Sequence, residues 1–173
     1  MKKKDGFDGQ QAVVIPRKIL QEQCAQNDLM AALYITDMGY YPKARFHHRV
    51  RPDGVDQHIL IYCVDGKGSA RFNRQTYSVS AGDFFIIPRK TAHSYSADEA
   101  DPWTIYWVHF DGSASDTVIR SLENKAESLK STVPCHAGSP DVPGAVGVIG
   151  FGFCADTVET DTRTIATATM LTR

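Results

Sequence analysis

Residues 82–110, GDFFIIPRKTAHSYSADEADPWTIYWVHF, decide the fold. The largely apolar run from Asp83 to Ile87 closes at Pro88, which has no N–H to give to a strand ladder. Arg89 to Ala92 reads as a polar corner, and His93-Ser94-Tyr95 re-enters as a short extended piece. Ser96 to Pro102 is a loop whose Asp98, Glu99 and Asp101 form a solvated acidic run. Trp103 to Phe110 follows as a strand. Its odd positions, Trp103, Ile105, Trp107 and His109, share one face because side chains alternate along a strand. Two tryptophans, a tyrosine and two histidines in a few short strands suit a pocket that stacks on, and hydrogen-bonds, a small polar ligand.

Working outward, the upstream chain reads mostly as short strands and turns. Ala12 to Ile15 is a β-prone arm ending at Pro16, which opens a helix to about Gln26. Leu29 to Thr36 is the expected first barrel strand, broken by Asp37-Met38-Gly39. Arg45 to Arg49 is the next, carrying His47 and His48. Arg51-Pro52-Asp53-Gly54 is a turn, and Gln57 to Val64 a strong strand. Asp65-Gly66-Lys67-Gly68 reads as a hairpin turn, and Asn73-Arg74 joins Ser69–Phe72 to Gln75–Val79 in a second hairpin. Such regular punctuation indicates an all-β sandwich or small barrel. Downstream, Val118, Ile119, Leu122, Ala126 and Leu129 recur at helical spacing, predicting one amphipathic helix from Ser115 to about Lys130.

Three units are therefore expected: a flexible N-terminus over 1–11, a barrel domain over 12–130, and a Gly/Pro/Thr-rich tail over 131–173 that is loosely held. The 173 residues are enough for one domain with a real core. A formal net charge of −1 supplies no basic field for nucleic acid phosphates. The N-terminal MKKKD has no apolar region after it, so it reads as a solvated end, not a signal peptide. No apolar run approaches the roughly 18 residues of a membrane span. The four cysteines are widely spaced and fit no metal or redox motif, which points to free thiols in the cytoplasm.

The segments GKGSARFNRQTYSVSAGDFFIIPRKTAHSY (66–95) and PWTIYWVHFDG (102–112) carry a resemblance. With the upstream RVRPDG and HILIYCVDGKG, they resemble the sensor half of AraC-type bacterial transcription regulators over about residues 12–122. Gly82-Asp83, Pro88, His93, Tyr95, Pro102-Trp103, Trp107, His109-Phe110 and Gly112 stand in family order and spacing. The resemblance implies an all-β, cupin-like double-stranded β-helix (jelly-roll) barrel with one or two flanking helices. It also implies a small effector, often a sugar, held inside the barrel, and a homodimer formed through helices that follow it. In the family, DNA is bound through a separate helix-turn-helix domain, and no such basic motif is read in this chain.

Metal-dependent cupins draw two His and a Glu from a first motif and a third His from a second. Here the first position reads Arg51-Pro52-Asp53-Gly54 and only His93 stands at the second, so no metal or other cofactor is expected. Adjacent His47 and His48 would face opposite ways on a strand. An effector pocket is the better use of these groups. Trp107 offers a stacking face, Arg51 a fork of donors, and Tyr95 and His93 groups that donate or accept. The resemblance aligns Arg51, Tyr95 and Trp107 with sugar-contacting residues. It sets Ile105 where the arabinose-responsive relative has a polar contact, and Asp37 near another contacting position. Trp103 is read as either a ligand contact or a plug at the barrel end, His109 as a satisfied strand-end histidine. Arg51 has an alternative use as the ion-pair partner of Asp53 or Asp83. Two rival functions are a metal-independent sugar-modifying enzyme, with His93 and Tyr95 as acid and base, and a ligand-free dimerisation module.

Overall fold

The computed structural model describes residues 2–122 and the backbone of 148–149. Ten strands are described: β1 (Gln11–Val14), β2 (Tyr34–Tyr41), β3 (His48–Arg51), β4 (His58–Asp65), β5 (Lys67–Phe72), β6 (Gln75–Ser80), β7 (Phe84–Ile87), β8 (His93–Ala97), β9 (Thr104–Asp111) and β10 (Val148–Ile149). They form two antiparallel sheets, ordered β1-β2-β9-β4-β7-β10 and β3-β8-β5-β6. The sheets face each other as a jelly roll, the expected all-β cupin-like fold. Period-two burial makes the core. Ile59, Ile61 and Cys63 of β4 point inward, as do Ala70 and Phe72 of β5 and Phe85 and Ile87 of β7. Tyr62 and Tyr106 stand on the outer face.

The decisive stretch folds as its punctuation implies, into β7, β8 and β9, with β8 in the sheet opposite the other two. Four upstream readings need correction. Leu29 to Thr36 is not a strand. Asn27 accepts hydrogen bonds from the N–H groups of Leu29 and Met30 and so caps a short helix, α2 (Asp28–Ala32), directly after α1 (Arg17–Gln26). The strand begins at Tyr34 and continues through Asp37-Met38-Gly39, where a break was expected, because Thr36 is accommodated as a bulge. The next strand starts at His48, not Arg45, since Phe46 takes a positive φ of 67° and His47 closes a turn on the carbonyl of Ala44. Finally, Asp65-Gly66-Lys67-Gly68 is no hairpin. β4 and β5 belong to different sheets, and Gly66, at φ 74°, passes the chain between them. A Cβ at Gly66 would stand 2.6 Å from the carbonyl oxygen of Pro102.

Within 1–11, Phe7 is buried against Tyr41 and His47 at one end of the barrel, and Lys3 bridges to His47. A third helix begins at Ser115 and is described to residue 122; its expected continuation to Lys130 lies outside the described residues. So does the tail 131–173, apart from β10, which pairs with Phe84 and Phe85 of β7. The helices and the outer face of the six-stranded sheet enclose a strongly apolar groove of about 700 Å³, lined by Ile19, Leu33, Val108, Phe110 and Leu122 among others.

Candidate effector-binding site

Inside the barrel lies a cavity of about 80 Å³, lined by Asp37, Tyr41, His47, Arg49, Arg51, Ile61, Tyr95, Ile105, Trp107 and His109. Strand alternation assembles it. Ile105, Trp107 and His109 project from β9, and Asp37 and Tyr41 from β2, with Asp37 opposite His109 and Tyr41 opposite Ile105. Arg49 and Arg51 come from β3, with Val50 between them exposed. Arg49 pairs across the ladder with Tyr95, and Arg51 with His93. Gly39, opposite Trp107, leaves room for the indole; a Cβ there would come within 2.6 Å of Trp107 Cζ2.

The polar groups divide into engaged and unengaged. His109 Nδ1 lies 2.8 Å from Asp37 Oδ2, and the Thr36 hydroxyl donates to Asp37 Oδ1 at 2.6 Å. Burial pushes the Asp37 carboxyl up, but the bonds from His109 and Thr36, with the charge of Arg51 nearby, hold it below the usual carboxylate range. His47 is buried and accepts the Trp103 indole N–H on Nδ1 at 3.2 Å. Its pKa is depressed to about 3, first by burial and then by Arg49, His48 and Arg51. It is therefore neutral, with its proton on Nε2. Burial likewise raises the phenols of Tyr41 and Tyr95. Among the described residues, four buried side-chain polar atoms have no hydrogen-bond partner: His47 Nε2, Arg51 Nη1, His93 Nε2 and Trp107 Nε1. Three of the four belong to residues that line the cavity.

Of the seven residues expected at the site, five surround this cavity: Asp37, Arg51, Tyr95, Ile105 and Trp107. His93 sits behind, its ring stacked on Tyr95 at 5.9 Å and its Nδ1–H donated to the Thr91 carbonyl at 2.7 Å. Trp103 is fully buried outside the cavity, so of its two readings the plug is the one that the packing fits. Arg51 pairs with neither Asp53 nor Asp83; the Asp83 carboxylate accepts the Ser80 N–H instead. His109 is satisfied, by Asp37, and the two share the cavity wall. The sequence reading missed Tyr41, His47, Arg49, Ile61 and His109 as lining residues. Period-two alternation already held two of them: Arg49 is two residues before Arg51, and His109 two after Trp107. Among the described residues no three His, Cys, Asp or Glu side chains gather as a metal-ligand set.

A jelly-roll barrel with a polar, partly aromatic cavity between its sheets is a domain of the cupin class. The particular family follows from comparison. The model of the AraC-like ligand binding domain matches residues 39–137, more than half of the chain, and the chain belongs to that family. The MmsAB operon regulatory protein of Pseudomonas aeruginosa PAO1 is 39% identical over 127 residues, covering 71% of this chain and 41% of that protein. The Msm operon regulatory protein of Streptococcus mutans is 31% identical over 83 residues, 48% of this chain and 28% of that protein. The chain thus spans less than half the length of these curated relatives. Among solved structures, the cupin domain of Schizosaccharomyces pombe Cnp3 aligns with a TM-score of 0.38 and 20% identity, covering 56% of this chain and 63% of that one. No described helix is long and apolar enough to cross a membrane.

Proposed function

We propose that this barrel is the effector-sensing part of a transcription regulator, and that a small polar molecule, a sugar or sugar acid, binds in the cavity. The observation that carries the reading is the buried, unpartnered Nη1 of Arg51, in a cavity wall shared with Trp107 and Tyr95. A buried donor without a partner costs about 1–3 kcal/mol, a cost that a ligand removes on binding. Family membership and relatives named as operon regulators support the regulatory role. Occupancy would shift a two-state equilibrium carried by the N-terminal arm (Ala12–Pro16) or by the helix after the barrel, and so a DNA-binding unit attached to it. Homodimer formation belongs to the same reading.

Thermal unfolding against a panel of sugars, sugar acids and divalent metals tests it. A ligand that binds only the folded state adds about 2.7 kcal/mol at one hundred times its dissociation constant. A rise in midpoint with one class of small molecule, lost in Trp107→Ala, is the expected result. Chemical conversion of the ligand, or a rise with metal alone, would replace the sensor with the enzyme reading.

A further inference from the structure

The geometry points to a small carboxylic acid as the effector, its carboxylate held by Arg51 and the neighbouring N–H donors, in place of a neutral sugar. The inference rests on the reading of this cavity as the effector site and narrows it. Its basis is an imbalance of donors over acceptors. Arg51 Nη1, Trp107 Nε1 and His47 Nε2 are all buried and unpartnered. Each is a donor: guanidinium and indole nitrogens never accept, and the Trp103 N–H on Nδ1 leaves the His47 proton on Nε2. The strongest acceptor in the wall, Asp37, is already taken by His109 and Thr36. The missing partner must therefore bring acceptors. A carboxylate brings two oxygens that only accept, in a plane that matches the guanidinium fork. A sugar hydroxyl brings a donor with every acceptor, and the wall has little left to receive it.

Charge and size agree. The cavity wall carries two arginines against one carboxylate, and that carboxylate is bonded to His109. Arg49 lies near the Tyr41 hydroxyl and lowers its pKa against the effect of burial, whereas Arg51 forms no ion pair with any described residue. An uncompensated cation in a site largely screened from water favours an anion. The volume, about 80 Å³, is well below the roughly 150 Å³ of a cavity that admits benzene. A three-carbon acid has about as many heavy atoms as benzene and a pyranose about twice as many, so the smallest acids ask the least movement of the walls.

Calorimetric titration of the 173-residue chain with ligand pairs matched in shape and differing in charge tests this. Suitable pairs are lactate with lactamide, glycerate with glycerol, and galacturonate with galactose. The expected result is that at least one acid binds tenfold or more tightly than its neutral mate, the smaller acids best, with the preference abolished in Arg51→Gln. Circular dichroism of the variant checks its fold. If that variant does not fold, the matched pairs on the unaltered chain still decide. Neutral mates binding as well as or better than the acids would overturn the carboxylate and leave the effector cavity standing. Acid binding undiminished in a folded Arg51→Gln would also overturn it. Absence of binding by either class would overturn both the carboxylate and the cavity as an effector site.

Discussion

Trp103 and His47 act together although only His47 reaches the cavity. The indole of Trp103, inaccessible to water, spends its N–H on His47 Nδ1, and this sets the tautomer that the cavity presents. The same burial makes His47 a stability sensor. Its folded pKa of about 3 lies below the unfolded value near 6.5, so as pH falls below 6.5 the unfolded chain takes up a proton that the folded one refuses. Stability is lost through that window at a slope of up to about 1.4 kcal/mol per pH unit from this residue. Burial depresses His93 and His58 as well, and both add to the same acid limb. Urea midpoints measured from pH 7 to 4 should fall steadily. In His47→Asn, whose amide oxygen can still accept the Trp103 N–H, the fall should be shallower. An unchanged slope would mean that His47 is protonated in the folded chain.

At the scale of elements, sequence patterns were most legible where hydrophobic alternation and turn chemistry agreed. The stretch from β7 to β9 has Pro88 and an acidic loop as clear boundaries, and its alternation puts Ile105 and Trp107 on one face, which the structure turns inward. The β5–β6 hairpin was equally plain from Asn73-Arg74. Errors arose where local signals had two readings. Leu29 to Thr36 is apolar enough for a strand, and the Asn27 cap that makes its start helical is one side chain. Asp65-Gly66 has hairpin chemistry, but whether the strands beside it pair or part is decided by long-range sheet assembly. The cavity is half legible: His47 reaches it through a turn that no periodicity announces, and Tyr41, four residues on from Asp37 on the same face of β2, is hidden by the break read at Asp37-Met38-Gly39. The hairpin itself offers a test. Asn73 and Arg74 both hold left-handed backbone, at φ 51° and 63°, the geometry that favours Asn-Gly in a two-residue turn. Arg74→Gly should raise stability by about 1 kcal/mol, read as a higher thermal midpoint with cavity binding unchanged.

Across the molecule, the cavity and the helix after the barrel share β9. Trp107 and His109 face the cavity, while Asp111, at the strand's end, meets Arg89 at 3.1 Å. Arg89 also reaches Asp116 at 3.2 Å and the hydroxyl of Ser115, both in the first turn of that helix. His58 completes the cluster, accepting the Arg89 backbone N–H on Nδ1 at 3.2 Å and lying 3.1 Å from Asp116 through Nε2. One guanidinium thus fastens the β7–β8 corner, the end of β9 and the helix start. Replacing it with Met should cost about 1–3 kcal/mol and speed amide exchange over residues 115–122 more than over β4. Uniformly faster exchange would show that Arg89 supports the barrel generally and is not a clip for the helix.

The bulge at Thr36 has a consequence of its own. Ile35 and Asp37 oppose Phe110 and His109, which are neighbours on β9, so Thr36 has no counterpart across the ladder. Most single-residue deletions within a strand turn every later side chain inside out. Here the ladder would simply close over the gap with both faces preserved. What would be lost is peripheral to the ladder: the hydroxyl on Asp37, and the carbonyl that receives the Ile15 N–H at 2.9 Å where the arm turns into α1. A spare residue in the middle of a strand thus ties the arm's far end to the carboxylate in the cavity wall.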